Sequence, residues 1–147
     1  MPLVYLDNCA LQRPLDDRDQ FRVRAEADAV TAVLAAVATG SVDIATSAVL
    51  RAETSRVRHR SRLDFAARVL ALASGDIGTP PEVQALALTY EQTGLKPFDA
   101  LHLASAVEMG AHYFCTTDDR LLKKARSADT RTTRVVTPLD LASALLL

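Results

Sequence analysis

Four acidic residues in this chain, Asp7, Glu53, Asp99 and Asp118, have the type and the spacing to do chemistry together. Asp7 stands out first. It ends the run Leu3-Val4-Tyr5-Leu6, a charge-free string of aliphatic, β-branched and aromatic residues that reads as a fully buried strand. The carboxyl ends of strands are where open parallel sheets place their ligands. No basic residue lies within five positions of Asp7, so nothing local accounts for its charge. Asp118 follows a second apolar run, Tyr113-Phe114-Cys115, and Asp99 opens a helix that begins at Pro97 and leads into that run. Glu53 lies nearly two turns into a helix that leaves another strand.

Each of these acids also has a plainer reading. Glu53 can pair with Arg56 three residues on, Asp99 can serve the dipole of its helix, and Asp118 can cap the next one. Together, however, they can converge on one edge of a parallel sheet. Two carboxylates about 5 Å apart repel by about 3 kcal/mol at an effective dielectric of about 20. Such a cluster calls for a neutralising ion, and hard oxygen ligands suit Mg²⁺ or Mn²⁺. A site of that kind activates water and clamps the oxygens of a phosphoryl group during in-line displacement.

The elements that must hold these groups follow from periodicity and stop signals. A loop is expected over 11–20, around Pro14 and the mostly acidic Asp16-Asp17-Arg18-Asp19. A helix over 21–39 carries the stripe Val23, Val30, Val33, Leu34 and Val37, with Arg22, Glu26 and Asp28 off it, and Gly40 ends it. A strand at 42–46 precedes a helix capped by Ser47 and running to about His59, then another over 61–74. Thr79-Pro80-Pro81-Glu82 reads as a threonine cap followed by proline and a capping-box glutamate. Its helix ends near Gly94, and the next runs from Pro97 to Gly110. Strands at 111–116 and 134–136, a helix over 118–127 and a terminal helix from Pro138 complete the chain. Strands alternating with helices, without hairpin signals, predict a single α/β domain over 1–147: a three-layer α/β/α sandwich around a parallel sheet of four to five strands.

Composition bounds the function. The apolar fraction is 49% and the charged fraction 24%, as in ordinary globular proteins. The net charge of −1 argues against gripping nucleic acid by bulk positive charge. The cations are nevertheless clustered: Arg51, Arg56, Arg58, Arg60, Arg62 and His59 face a single acid, Glu53, within 51–62. A second basic stretch holds Arg120, Lys123, Lys124, Arg126, Arg131 and Arg134. Guanidinium forks match phosphate oxygens, so Arg56, Arg58 and Arg60 are candidate phosphate contacts. Cys9 and Cys115 form neither a disulfide framework nor a zinc pattern and read as small buried hydrophobes, which fits a reducing cytoplasm. Neither a signal peptide nor a membrane-spanning run is expected.

The blocks Val4-Tyr5-Leu6-Asp7-Asn8, Ser47 to Glu53, Asp99-Ala100-Leu101-His102-Leu103-Ala104 and Thr116-Thr117-Asp118-Asp119-Arg120-Leu121 resemble the four signature blocks of the PIN-domain family. They are similar in particular to the VapC-type ribonuclease toxins of toxin–antitoxin pairs. The resemblance implies Asp7, Glu53, Asp99 and Asp118 as catalytic, metal-binding acids, with Asn8 and Thr116 in support. It also implies an RNA substrate, a cognate antitoxin and a homodimer. Asp119 can replace Asp118 as ligand, although Thr116 two residues before Asp118 and Leu121 three after it match the family spacing better. His102 is open between packing and a fifth ligand or proton shuttle, while Tyr5, Tyr113 and Phe114 read as strand core. The largely apolar end, Leu139 to Leu147, adds to the expectation of a dimer. Two other readings stand beside this one. An aspartyl-phosphate phosphatase would want a second Asp at position 9, which is Cys9; an inert binding module would have kept the fold without the activity.

Overall fold

The computed structural model describes residues 1–146; Leu147, part of the apolar terminus, lies outside the described residues. Five parallel strands form one sheet in the order β3-β2-β1-β4-β5. They are β1 (Leu3–Leu6), β2 (Asp43–Ser47), β3 (Gly75–Ile77), β4 (Tyr113–Cys115) and β5 (Arg134–Val136). The first strand is the central one. Val4 lies beside Ile44 of β2 and Tyr113 of β4, so β1 is shielded on both edges and both faces.

Alternation along the strands divides the core in two, because successive side chains point to opposite faces. Val4, Leu6, Ile44, Cys115 and Val136 pack on one side. There they meet α1 (Asn8–Gln12), α2 (Phe21–Ala38), α4 (Arg60–Leu70) and α8 (Pro138–Leu146). Tyr5, Ala45, Phe114 and Val135 face the other way. They meet α3 (Ala48–Ser55), α5 (Pro81–Gln92), α6 (Pro97–Glu108) and α7 (Asp119–Arg126). Tyr5 and Phe114 stack with ring centroids 5.6 Å apart and planes at 17°, a pairing worth about 0.5–1.5 kcal/mol beyond the area it buries. The expected sandwich is therefore present. Among the described residues no helix is long and apolar enough to cross a membrane.

Four local expectations need correction. The segment after β1 is not a loop from Leu11: α1 begins at Asn8, directly after the strand, and a 3₁₀ turn (Arg13–Leu15) follows it. Ala10 and Leu11 carry its apolar side into the core, a signal too short to show helical periodicity. The helix capped by Ser47 stops at Ser55 rather than near His59, and Arg60 starts a new one. β3 was not expected, since Gly75-Asp76-Ile77 is a short edge strand without an apolar run. Pro80, not Thr79, caps α5, and no side chain caps it by hydrogen bonding. The glycine stops hold: Gly40, Gly94 and Gly110 have φ of +82°, +103° and +71°, the left-handed turn that ends helices.

Glu26 also departs from expectation. It is buried, at 3% exposure, although it lies off the valine stripe. Arg13 approaches it at 3.0 Å and Arg22 at 3.5 Å. Arg22 then holds Asp119 through two bonds of 2.8 and 2.7 Å, which fastens the start of α2 to the loop after β4. Arg13 and Arg22 are 18% and 50% exposed and keep Asp16 and Asp119 as partners, so neither is left uncompensated without Glu26. Glu26→Ala is therefore expected to destabilise the fold by about 1.5–3 kcal/mol, the scale of a hydrogen bond to a charged group. Chemical denaturation measures it, and a loss below 1 kcal/mol, roughly that of an exposed pair, would contradict this account of the ion pair.

Candidate metal and phosphodiester site

The carboxyl edge of the sheet gathers the acids. Asp7 leaves β1 and caps α1: its Oδ1 accepts from the Ala10 amide at 2.9 Å. The helix missed in the sequence thus gives Asp7 a structural role. That role occupies one oxygen only, and Asp7 remains 4% exposed without a salt bridge among the described residues. Burial pushes its carboxyl above the usual carboxylate range, opposed by hydrogen bonds from Thr116 and Ala10. Asp118 caps α7 in the same manner, its Oδ1 accepting from the Arg120 and Leu121 amides at 2.9 and 3.2 Å. Thr116 lies between the two: its hydroxyl accepts from the Asp118 amide at 3.1 Å and is 3.6 Å from Cys9 Sγ, which donates to Asp7.

Asp99 sits in the first turn of α6. Burial, then the charge of Asp118, and further the charge of Glu53, raise its carboxyl above the ordinary range. The helix dipole favours an acid there by about 0.3–1 kcal/mol. The direction of the shift means that desolvation and like-charge repulsion outweigh it. Asp99 and Asp118 also line one cavity together.

Glu53 does not pair with Arg56. Its Oε2 lies 3.1 Å from His102 Nε2, and this bond is the main reason its carboxyl falls below the ordinary range. The Asn8 amide adds to the same shift, while Asn8 Oδ1 is buried without a partner. His102, one turn beyond Asp99, is 2% exposed and therefore neither a surface residue nor simple packing. Its Nδ1 is 2.7 Å from Tyr5 Oη, which is 2.7 Å from Ser47 Oγ, which accepts from the Leu50 amide at 3.1 Å. Donor–acceptor balance assigns one direction to this chain. Ser47 donates to Tyr5, Tyr5 to Nδ1, and Nε2–H to a carboxylate that can only accept. Burial holds the Tyr5 hydroxyl well above the phenol range, which keeps it a donor.

The structure thus brings Asp7, Glu53, Asp99, Asp118, Asn8 and Thr116 to one edge. Asp119 points elsewhere: it is exposed and held by Arg22, which lowers its carboxyl. Arg56, Arg58 and Arg60 are exposed around the α3–α4 turn, with Arg60 3.7 Å from Asp64. Cys115 is a buried hydrophobe as expected, but Cys9 lies on an exposed residue of α1. Its Sγ turns inward to Asp7 Oδ1 at 3.1 Å, and burial and that charge push the thiol up to about 12. Tyr113 is half-buried, with the Arg134 guanidinium 5.7 Å over its ring. A cavity of about 620 Å³ beside Arg126 and Asp140 has none of these acids in its lining.

Sequence reasoning missed the chain from Ser47 through Tyr5 to His102. Period-2 alternation would have put Tyr5 on the face of Asp7, and i,i+3 spacing would have put His102 beside Asp99.

Among the described residues the carboxylates do not close into a ready cage of three or more metal ligands. The donor set nevertheless fits a hard divalent cation. Asp7 is buried without a cationic partner, Asp99 is repelled by its neighbours, and Asp7, Asp118 and Glu53 each commit one oxygen to the protein.

Architecture and site define the chain as an α/β/α protein with an acidic centre at the carboxyl edge of a parallel sheet. It belongs to the PIN domain family, whose model matches residues 4–127. The fold is similar to that of a chain in the crystal structure of VapBC2 from Rickettsia felis bound to a DNA fragment from their promoter. That likeness has a TM-score of 0.62 and 14% identity, and covers 92% of this chain and 98% of that one. It is also similar to PAE2754 from Pyrobaculum aerophilum, with a TM-score of 0.55, 17% identity and coverage of 98% and 89%. Comparison with curated proteins gave no sequence match.

The raised carboxyl of Asp99 sets a pH dependence. An acid whose folded pKa exceeds its unfolded value costs no stability below the unfolded value. The cost grows as pH rises from the unfolded value to the folded one and is constant above it. Metal-free Asp99→Asn is therefore expected to melt higher than the parent at neutral pH. The gap should close as pH falls toward the ordinary carboxyl value of 3.8. Added Mg²⁺ should raise the melting point of the parent more than that of the variant. Melting curves against pH and Mg²⁺ measure both; a variant that melts lower with an unchanged Mg²⁺ shift would leave Asp99 a helix-dipole acid only.

Proposed function

We propose that the protein is a Mg²⁺- or Mn²⁺-dependent endoribonuclease, the toxin of a type II toxin–antitoxin pair, acting on RNA phosphodiesters in the cytoplasm. The observation that carries this reading is the set of Asp7, Glu53, Asp99 and Asp118 at one sheet edge, with Asp7 buried and uncompensated. Membership of the PIN family and the likeness to a VapBC2 chain support it. Asp7, Glu53, Asp99 and Asp118 would hold the cation. When bound, that cation supplies charge neutralisation at the phosphate and activation of water.

The protein's own groups have separate tasks. Thr116 keeps Asp118 in register with Asp7, since its hydroxyl accepts from the Asp118 amide and meets the Cys9 thiol that donates to Asp7. His102 and Asn8 orient Glu53 from two sides. Tyr5 ties His102 to the strand that ends in Asp7, so Glu53 and Asp7 are referenced to the same backbone. Arg56, Arg58 and Arg60 are rim contacts to the RNA chain. Cys9 takes no part as a nucleophile, because its thiol is held protonated.

Cleavage of a mixed RNA substrate is expected with Mg²⁺ or Mn²⁺ and absent in excess chelator. Asp7→Asn should lower the rate by about two orders of magnitude or more, the scale of losing a group that stabilises developing charge. The variant should retain its fold, because Asn caps helices as well as Asp. Full cleavage in chelator would refute metal dependence. Failure of the parent to cut RNA while Mg²⁺ leaves its melting point unmoved would favour the inert module.

A cognate antitoxin and a second copy are the proposed protein partners. Leu139 and Leu146 on α8 are 51% and 42% exposed, apolar surface of the kind an interface covers. Sedimentation at micromolar concentration should give twice the 15.9 kDa of one chain; a strictly monomeric mass would refute the dimer.

A further inference from the structure

Positive charge also borders the acids. The cavity that Asp99 and Asp118 line has a volume of about 60 Å³ and is lined as well by Lys96, Arg120 and Lys124. None of these three cations makes a salt bridge among the described residues. In the arginine-rich region 51–62, Arg51 bonds to Asp76, Arg60 lies near Asp64 and Arg62 bonds to Asp16 at 2.8 Å, while Arg56 and Arg58 are exposed and make no salt bridge among the described residues. Unpaired positive charge is thus present at both places, and at the cavity it borders Asp99 and Asp118.

Two further features suit the cavity to an anion. Lys124 Nζ donates to the Gly94 carbonyl at 2.9 Å, which fixes the ammonium group and leaves its other hydrogens free. Gly94 can offer that carbonyl because it turns at φ +103°, where other residues are strained. In addition, α6 begins at this cavity without a capping side chain: Lys96 is its N-cap, and Pro97 has no amide hydrogen. The Phe98 and Asp99 amides are thus free donors at the positive end of a helix. Asp99 and Asp118 on the same wall repel an anion on its own, so the cavity suits an anion that shares the cation those acids would hold while it meets Lys96, Arg120 and Lys124. A backbone phosphate is such an anion.

We propose that Lys96, Arg120 and Lys124 form a subsite for the backbone phosphate next to the one that is cut, and so set the register of the RNA strand over the carboxylates. This inference rests on the nuclease reading above and gives that site its substrate grip.

The test is equilibrium binding of a labelled single-stranded RNA oligonucleotide as a function of salt, in Ca²⁺ to hold the strand without relying on turnover. For single strands each phosphate contact contributes about 0.7 to the slope of log affinity against log salt. Lys96→Gln, Arg120→Gln and Lys124→Gln combined should reduce the slope by about 0.7, the share of one phosphate, and each change alone should take part of that loss. Lys124→Arg, which keeps the charge, should restore it. Lys123→Gln removes the same charge from an exposed position outside the cavity and should leave the slope unchanged. A melting point for each variant close to that of the parent shows that the fold is kept. Replacing one phosphate of the oligonucleotide by an uncharged methylphosphonate should weaken binding to the parent at one position only, and should not weaken Lys124→Gln further there.

Equal slope losses for Lys123→Gln and Lys124→Gln would mean diffuse electrostatics and overturn the subsite. So would unchanged slopes in the three cavity variants, or a parent that does not bind the oligonucleotide. Loss of affinity for an acidic peptide with RNA slopes intact would assign the cations to a protein partner instead. Binding that behaves as expected without any cleavage in Mg²⁺ would keep the subsite and fail the nuclease reading alone.

Discussion

Burial of β1 is the constraint from which the rest of the structure follows. As the centre of five parallel strands it has no access to water on either edge or face, so each polar atom it carries needs a partner from elsewhere. It carries two such groups on one side, the Tyr5 hydroxyl and the Asp7 carboxylate. The hydroxyl takes Ser47 and His102, which fixes α3 and α6 against the strand. The carboxylate takes the Ala10 amide and the Cys9 thiol of α1, and that thiol meets Thr116, which fixes the turn after β1 against the end of β4. These few hydrogen bonds set the relative positions of all four acids.

The acids are held by structural contacts that spend only part of their bonding capacity. Asp7 and Asp118 cap helices with one oxygen, and Glu53 meets an imidazole with one oxygen. Helix caps are worth about 1 kcal/mol each, so these contacts orient carboxylates that would otherwise repel. Asp99 lacks such a contact and carries the clearest trace of repulsion from its neighbours. Asp119 provides the contrast. It lies one residue further, is satisfied by Arg22, and takes no share in the cluster.

A net charge of −1 conceals a division of the surface. Many arginines serve the fold: Arg13 and Arg22 neutralise Glu26, and Arg126 meets Asp140. Charge that is not already paired matters more for recognition than the density of basic residues along the chain. By that criterion Lys96, Arg120 and Lys124 beside Asp99 and Asp118, together with the unpaired Arg56 and Arg58, are the favoured places for a phosphate, and the paired Arg51 and Arg62 are not.

The sequence by itself determined the alternation of strands and helices and the parallel sheet, and it singled out four acids that the fold brings to one sheet edge. These rest on local signals: apolar runs, stop glycines, Pro97, and acids at the ends of apolar runs. It also placed the Ser47 cap correctly, because a cap acts within four residues. The five-residue α1 was invisible, being too short for periodicity, and with it the cap role of Asp7. Tertiary structure alone decided which charge meets which. Glu53 finds His102 across 49 residues rather than Arg56 across three, and Asp119 finds Arg22 across 97. Burial of Glu26, the path from Ser47 through Tyr5 to His102, and the grouping of Lys96 with Lys124 have the same origin. Partners far apart in the chain are chosen by packing, and desolvation then decides how much each charge is worth.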